Sequence, residues 1–260
     1  MQSLALQSIQ LGYPTLPEAG SRSHFNIVAK WIKFCDEKHR CYSERADFFP
    51  TRVLDVQDSC SDTIRLLTDT KHLAKSAKYL ALSHRWNEVK KGQIFCTFKA
   101  DIEGRKERLI EVRLLPKTLR DAVHVTRSLH LQYLWIDSLC IIQKDVNDWL
   151  RESSRMEQVY SSAYCTIAAT CGAGPDDGFL KDRPPRPFVP MKVQQSDSTY
   201  YVCKAIDDFD KHVDKRELNT RAWVLQERAL SRRTIHFAEE QTYWECGMGV
   251  RCETLTKGKK

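Results

Sequence analysis

The stretch that decides the fold is Tyr133-Leu134-Trp135-Ile136-Asp137-Ser138-Leu139-Cys140-Ile141-Ile142-Gln143. In it an apolar run stops at Asp137, and a polar turn follows before a helix-like segment begins. A buried strand of a parallel sheet has this pattern, because it is apolar on both faces and presents polar groups at its carboxyl end. We therefore predict a strand from Tyr133 to Asp137 whose end delivers functional groups to the edge of an α/β sheet.

The segments on either side repeat this pattern. Tyr79–Trp86 is an apolar strand that ends in polar groups, and a helix starts at Pro116, with Thr118 as a cap. A second helix carries Trp149, Ser153, Met156 and Tyr160 on one face, and Tyr164–Ala169 is a third strand. This succession of strand, helix, strand, helix and strand indicates a doubly wound parallel sheet.

Beyond residue 170 the pattern weakens and then returns. Glycines and prolines interrupt residues 171–216, which we interpret as an insertion, a lid or a specificity loop, with a strand at Tyr200–Lys204. A helix is predicted over Asn219–Leu230, with Asn219 or Thr220 as its cap. Two more strands follow, Thr234–Phe237 and Thr242–Cys246.

The first 75 residues form an extension of their own before a core of residues 76–260. Phe25, Val28, Ile32 and Cys35 recur at helical spacing, which predicts an amphipathic helix around residues 24–36. Residues 51–56 and 63–67 are predicted to pair as a hairpin. The fold class is thus α/β, a flavodoxin-like parallel sheet flanked by helices, with an amino-terminal α+β extension and an insertion before the last core helix.

Cys35, His39 and Cys41 raise the question of a metal site. Their spacing is not that of a standard zinc knuckle, and no fourth ligand stands nearby in the sequence. We therefore interpret them as a local structural motif and expect no metal, with zinc as the alternative.

Composition excludes several classes of protein. The 260 residues are 42% hydrophobic and 29% charged, which suits a large folded domain, and no apolar run is long enough to span a bilayer. The first residues lack a secretory signal, so we expect a cytoplasmic location and ten reduced cysteines.

The basic residues behind the net charge of +7 are scattered along the chain, which argues against nucleic-acid binding and is compatible with an anionic ligand.

The segments Tyr79–Trp86, Leu115–Ala169 and Leu218–Cys246 together resemble the HET domain, the heterokaryon-incompatibility module of filamentous fungi. The resemblance implies a role in programmed cell death and fungal innate immunity. The first motif departs from the pattern of many HET domains, Ser-Tyr-x-Trp-Gly, because it has Ser83-His84-Arg85-Trp86-Asn87. Loss of the glycine constrains the backbone there.

HET domains have been regarded as relatives of TIR domains, and the order of elements here is similar to that fold. Enzymatic TIR domains cleave NAD+ with a glutamate in a Trp-x-x-x-Glu arrangement, which Trp223-Val224-Leu225-Gln226-Glu227 matches. The resemblance implies that Glu227 is catalytic and that Ser83, Arg85 and Asp137 line the cleft. It also implies sites completed across subunits, hence a homo-oligomer on activation.

Such a small constellation is sufficient for cleavage of the nicotinamide–ribose bond. The leaving group is neutral, so a single carboxylate can stabilise the oxocarbenium-like transition state. Arg85 is expected to contact a phosphate, and Trp86 or Trp223 to stack on a base, with a plain core role as the alternative for each tryptophan. No P-loop or GxGxxG motif occurs, so NAD+ is expected as a substrate and no cofactor is expected.

Alternatives remain for these residues. Cys140 follows the second strand and is a candidate substrate contact, or a nucleophile if a histidine reaches it. Asp137 could cap the next turn, and Glu227 could form an ion pair with Arg221, Arg228, Arg232 or Arg233. In that case the domain would be a non-enzymatic signalling adaptor that acts through protein partners.

Overall fold

The computed structural model describes residues 12–41, 48–56, 62–73, 76–85, 95–107, 109–183, 185–192, 199–203 and 207–254. The described strands are β1 (Val53–Asp55), β2 (Thr63–Leu67), β3 (Tyr79–Ser83), β4 (Thr97–Phe98), β5 (Ile110–Glu111), β6 (Tyr133–Trp135), β7 (Ile142–Gln143), β8 (Cys165–Ala168), β9 (Phe188–Lys192), β10 (Thr199–Cys203), β11 (Arg233–Phe237), β12 (Thr242–Cys246) and β13 (Gly249–Cys252). The described α-helices are α1 (Arg22–Phe34), α2 (Ile102–Glu107), α3 (Lys117–Ser128), α4 (Asp137–Cys140), α5 (Val146–Ser153), α6 (Met156–Ser162) and α7 (Ala222–Leu230).

A mixed sheet of nine strands forms the centre, in the order β13-β12-β11-β8-β3-β6-β1-β2-β5. Its four middle strands, β11, β8, β3 and β6, are parallel to one another, and antiparallel strands flank them on both sides. In chain order the parallel strands lie as second, first, third and fourth, which is the order of flavodoxin-like sheets. The predicted α/β class, a sheet flanked by helices, is confirmed.

This strand order has a consequence for ligand binding. The chain leaves β3 towards β6 on one side and returns to β8 on the other, so the point where the order reverses lies between β3 and β8. In open α/β sheets ligands bind outside the carboxyl ends of the strands at such a point. All five residues of β3 are buried, as a central strand of a parallel sheet requires.

The amino-terminal extension contributes to the same sheet. β1 and β2 form the predicted antiparallel hairpin, and β1 also pairs with β6. Ser21 caps α1 by accepting a hydrogen bond from the backbone of His24, and the predicted stripe of α1 is buried, with Trp31 beside it. The boundary at residue 75 stays a prediction.

Two helices differ from the sequence prediction. The second core helix is broken into α5 and α6, and Trp149 is exposed on α5 because that helix turns Asp148 and Glu152 inward instead. Both carboxylates pair with the buried Arg52, at 2.5 and 3.6 Å, so an ion network replaces the expected apolar face. Arg52 also stabilises the turn after β6, because its Nε atom donates a hydrogen bond to the carbonyl of Cys140.

The predicted helix caps were wrong. Thr118 lies inside α3 and donates its hydroxyl to the carbonyl of Gly174 at 2.8 Å, which anchors the helix to the following insertion. α7 begins at Ala222, later than predicted. Within the insertion the predicted strand is β10, which pairs with β9 in a separate, solvent-exposed hairpin.

Candidate active site

Polar side chains from three elements converge at the carboxyl edge of the parallel strands. Ser83 is the last residue of β3, Asp137 follows β6, and Glu227 lies in the second turn of α7. Both Ser83 and Asp137 are close enough to Glu227 to shift the pKa of its carboxyl group. The structure thus brings together three of the residues that the sequence singled out.

Glu227 is the most unusual ionisable group of this edge. It is only 8% exposed. Burial raises the pKa of its carboxyl group to about 8, and the charge of Asp137 acts in the same direction. A carboxyl group with such a pKa is mostly protonated at neutral pH, which is common at functional sites and uncommon at structural ones.

Two hydroxyl groups limit this rise. Those of Ser83 and Tyr160 are within reach of the Glu227 carboxyl, and each lowers its pKa by stabilising the ionised form. Within the described part of the chain, however, Glu227 Oε2 and the hydroxyl oxygens of Ser83 and Ser138 are buried without a hydrogen bond of good geometry. Buried polar atoms of this kind are uncommon, and three at one edge suggest that they serve a ligand.

His84 and Asp137 form a polar pair beside Glu227. The Nδ1 atom of His84 lies 3.8 Å from Oδ1 of Asp137. Burial lowers the pKa of His84, Asp137 opposes this effect, and Arg221 adds to it, so the imidazole is neutral at neutral pH. Asp137 Oδ1 also accepts the backbone N–H of Ser138 at 2.7 Å. Asp137 therefore orders the turn as well as facing the site.

Two of the four arginines proposed as ion-pair partners of Glu227, Arg228 and Arg233, bind other carboxylates. Arg228 makes two hydrogen bonds to Glu245, at 2.8 and 2.9 Å, and one to Asp214 at 2.6 Å. Arg233 binds Asp36. Among the described residues, no nitrogen of a basic side chain lies within 4.0 Å of the Glu227 carboxyl, and Arg221 affects it only through its charge.

Three other residues named from the sequence have different environments. Arg85 is one-third exposed and pairs with Glu217. Cys140 is 1% exposed, and burial raises the pKa of its thiol to about 12, so it is a poor nucleophile and has no access to a ligand here. Trp223 is 61% exposed and does not share the enclosed position of Glu227, and Trp86 lies outside the described residues.

Two cavities among the described residues lie away from this site. One of about 930 Å³ lies along α3, beside Arg120, His124 and Arg127. A second, of about 320 Å³, lies between Phe179 and Glu239. Glu227 lines neither of them. Because Glu227 is buried, with its Oε2 atom out of contact with solvent, its carboxyl group is enclosed in this conformation, and a ligand needs a local opening to reach it.

Comparison with the sequence models of known protein families gave a match. The sequence model of the family described as "Heterokaryon incompatibility protein (HET)" matches residues 79–227, more than half of the chain. The chain belongs to the HET family. The matched region of the HET domain begins at Tyr79, the first residue of β3, and ends at Glu227. Membership implies a role in heterokaryon incompatibility and the associated cell death.

Further comparisons gave no match. No curated protein and no solved structure is significantly similar to this HET domain. Within the described residues, no helix has the length and apolar character that a membrane crossing requires.

Sequence reasoning missed Tyr160, Ser138 and Arg221 as members of the site. Tyr160 was assigned to one face of the second helix, but periodicity does not reveal that its hydroxyl lies near a carboxyl group on α7. Ser138 follows Asp137 directly in the sequence, and this position was the one feature that could have identified it as a residue of the site. Arg221 was considered as an ion-pair partner only.

Proposed function

We propose that this HET domain hydrolyses NAD+ at the bond between nicotinamide and ribose, with Glu227 as the catalytic carboxylate. The observation that carries the proposal is a buried glutamate for which the described residues provide no ion-pair partner. Its pKa is raised to about 8, and it lies at the carboxyl edge of a flavodoxin-like sheet. The resemblance of Trp223-Val224-Leu225-Gln226-Glu227 to the catalytic pattern of TIR domains supports the same assignment.

The reaction places little demand on the protein. The bond between the anomeric carbon and the nicotinamide nitrogen breaks, its electron pair leaves with neutral nicotinamide, and the ribose becomes an oxocarbenium-like cation. Water adds to the anomeric carbon and loses a proton, which gives ADP-ribose. Glu227 in its ionised form stabilises the cation electrostatically, and no acid is needed for the leaving group.

The raised pKa of Glu227 suits a cationic substrate. The nicotinamide ring of NAD+ carries a positive charge, which favours the ionised form of a nearby carboxyl group. Binding of NAD+ would therefore lower the pKa of Glu227 and release a proton, and an unliganded site would keep the carboxyl neutral. Ser83 and Tyr160, which already stabilise the ionised form, would hold its orientation.

Other residues of the site have supporting roles in this proposal. Neutral His84, which lies near Asp137, would accept the proton of the attacking water. Arg85 would bind a phosphate of the substrate after releasing Glu217, its partner in this conformation.

The enclosure of Glu227 supports activation by self-association. Its carboxyl group is buried, whereas Trp223 and Leu225 of the same helix are each 61% exposed. Exposed tryptophan and leucine side chains are common in protein interfaces, which makes these two residues candidate contacts for a second subunit. Assembly through them would shift α7 and open the site, and the isolated chain would be in a resting state.

Isotope and substrate controls test the reaction class. In water enriched in ¹⁸O, we expect NAD+ to give unlabelled nicotinamide and ADP-ribose labelled at the anomeric hydroxyl. NADH should not be cleaved, because dihydronicotinamide is a poor leaving group and lacks the positive charge. Absence of nicotinamide release from a folded, concentrated wild-type protein would instead favour the adaptor, in which the exposed face of α7 binds protein partners.

A further inference from the structure

A cluster of four potential metal ligands lies at the opposite edge of the sheet from Glu227. Cys35, His39, Cys41 and Cys246 each direct one ligand atom to a common point, and these four atoms all lie within 4.8 Å of one another. Cys246 ends β12, where it pairs with Arg233, the first residue of β11. This places the cluster at the amino edge of the parallel strands, away from the proposed active site.

The chain is shaped locally so that these side chains meet. α1 ends in a π-helical turn over Cys35–His39, in which the N–H of Arg40 donates to the carbonyl of Cys35 at 2.7 Å. Arg40 then adopts a left-handed conformation, with φ of 53°, which is uncommon for a residue other than glycine. This reversal turns Cys41 back towards Cys35 and His39. π-helical turns and left-handed residues both concentrate at functional sites.

The fourth ligand, Cys246, comes from a distant part of the sequence. Cys246 lies 207 residues after His39, and its Sγ atom is 3.4 Å from Nδ1 of that histidine. Zn–S and Zn–N bonds of about 2.3 and 2.0 Å at a tetrahedral angle separate sulfur and nitrogen by about 3.5 Å. The observed separation is therefore close to that of two ligands of one zinc ion. Gly247, the residue after Cys246, also lies close to Cys41. A Cβ atom added to Gly247 would be 3.7 Å from the sulfur of Cys41.

We infer that Cys35, His39, Cys41 and Cys246 form a structural zinc site. Three thiolates and one imidazole are the ligand set of closed tetrahedral zinc sites, which leave no position for a substrate. Three thiolates and Zn²⁺ together carry one negative charge. Arg233 and Arg251 lie close enough to act on Cys35 and His39, respectively, and these cations offset that charge.

The expected role of the zinc ion is to connect the amino-terminal extension to the hairpin of β12 and β13. The ion joins the end of α1 to the end of β12, and it closes a loop of about two hundred residues. Sequence spacing alone could not reveal the site, because Cys246 is distant in the chain and close only after the sheet forms. Our expectation of no metal at Cys35, His39 and Cys41 came from the missing fourth ligand, which Cys246 supplies.

Metal analysis of the purified chain tests the inference. After expression with zinc and dialysis without a chelator, we expect one zinc per wild-type chain and loss of that zinc in Cys246→Ser. Cys252→Ser is the matched control, because Cys252 lies in the same hairpin, is buried and is outside the cluster. Equal zinc in Cys246→Ser and wild type would overturn the inference, as would a zinc-free wild type after exposure to excess Zn²⁺.

Measurements on the wild type keep the test independent of variant folding. With zinc bound, Cys35, Cys41 and Cys246 should resist alkylation until a chelator is added, and Co²⁺ should give the absorption of a tetrahedral thiolate complex. Removal of zinc should lower the midpoint of thermal unfolding, because the metal binds only the folded chain. Intact masses that show a disulfide between two of these cysteines in the freshly purified protein would contradict the site.

Discussion

Asp137 raises the pKa of Glu227 through its charge, although the two residues are 90 positions apart in the chain. Asp137 follows the second parallel strand, and Glu227 lies on the helix that precedes the fourth. The sheet brings both to one edge, where Glu227 is enclosed and Asp137 keeps some exposure to solvent. A carboxyl group whose pKa is raised by burial and by a second carboxylate nearby is an arrangement that commonly marks an active site.

Replacement of Glu227 by glutamine should stabilise the protein. The folded state keeps Glu227 protonated up to about pH 8, whereas the unfolded state releases this proton above about 4.5, so folding becomes less favourable between these values. Glutamine removes this cost, which is roughly 3 to 5 kcal/mol at pH 8. We expect the variant to unfold at higher temperature than wild type at pH 8, with a smaller difference at pH 5. Equal unfolding temperatures at both pH values would contradict the raised pKa.

The rate of NAD+ cleavage should depend on the ionisation of Glu227. The free enzyme is active only when this carboxyl group is ionised, so kcat/KM should increase with pH and level off above about pH 8. The profile should be recorded between about pH 6 and about pH 9 under conditions in which the protein stays folded. A flat profile over this range would argue against Glu227 as the catalytic group.

Removal of the Tyr160 hydroxyl should move that profile. This hydroxyl lowers the pKa of Glu227, so Tyr160→Phe should shift the midpoint of the kcat/KM profile to higher pH. The variant should lose only about 1 kcal/mol of stability, because the hydrogen bond that is removed, from the Tyr160 hydroxyl to the Leu82 carbonyl, is long at 3.4 Å and the ring remains packed. Tyr164→Phe, which removes a hydroxyl bound to Asp36 instead, should leave the midpoint unchanged. A shift of equal size in both variants would indicate an indirect effect on the fold.

The buried ion network of Arg52, Asp148 and Glu152 should contribute strongly to the free energy of unfolding. Arg52→Met leaves the Asp148 and Glu152 carboxylates without their buried cation, which should reduce the free energy of unfolding by roughly 3 to 5 kcal/mol. Arg151→Met, which removes a largely exposed partner of the same carboxylates, should cost about 1 kcal/mol or less. Urea denaturation of both variants measures the difference, and comparable losses would refute the role assigned to Arg52.

Cys140 should be dispensable for catalysis. Its thiol is buried and has a raised pKa, so it does not act as a nucleophile. We expect Cys140→Ala to keep the rate of NAD+ cleavage within about twofold of wild type once corrected for the folded fraction. Loss of cleavage in a folded Cys140→Ala protein would revive the covalent alternative.

The sequence predicted the sheet better than the site. β3, β6, β8, β11 and β12 were recognised because their apolar runs have the length and boundaries of buried strands. The break between α5 and α6 was missed, since the buried face of α5 is built from Asp148 and Glu152 and periodicity assigns charged residues to solvent.

Contacts between distant segments account for what the sequence could not give. Tyr160 reaches Glu227, and Cys246 reaches His39, only when the sheet has placed their elements side by side. Trp223 and Glu227 share a helical spacing, yet one is exposed and the other enclosed, because α7 turns only part of that face towards the sheet. The family resemblance identified Glu227, and the structure supplies its physical environment.

Release of nicotinamide from NAD+ tests the central claim most directly. The assay should use concentrated protein or a crowding agent, and compare wild type with Glu227→Gln and with Glu157→Gln, which changes an exposed glutamate on the neighbouring α6. We predict release by wild type and Glu157→Gln, and a loss of at least about 100-fold in folded Glu227→Gln. Undiminished release by Glu227→Gln, or none by a folded and assembled wild type, would contradict the account.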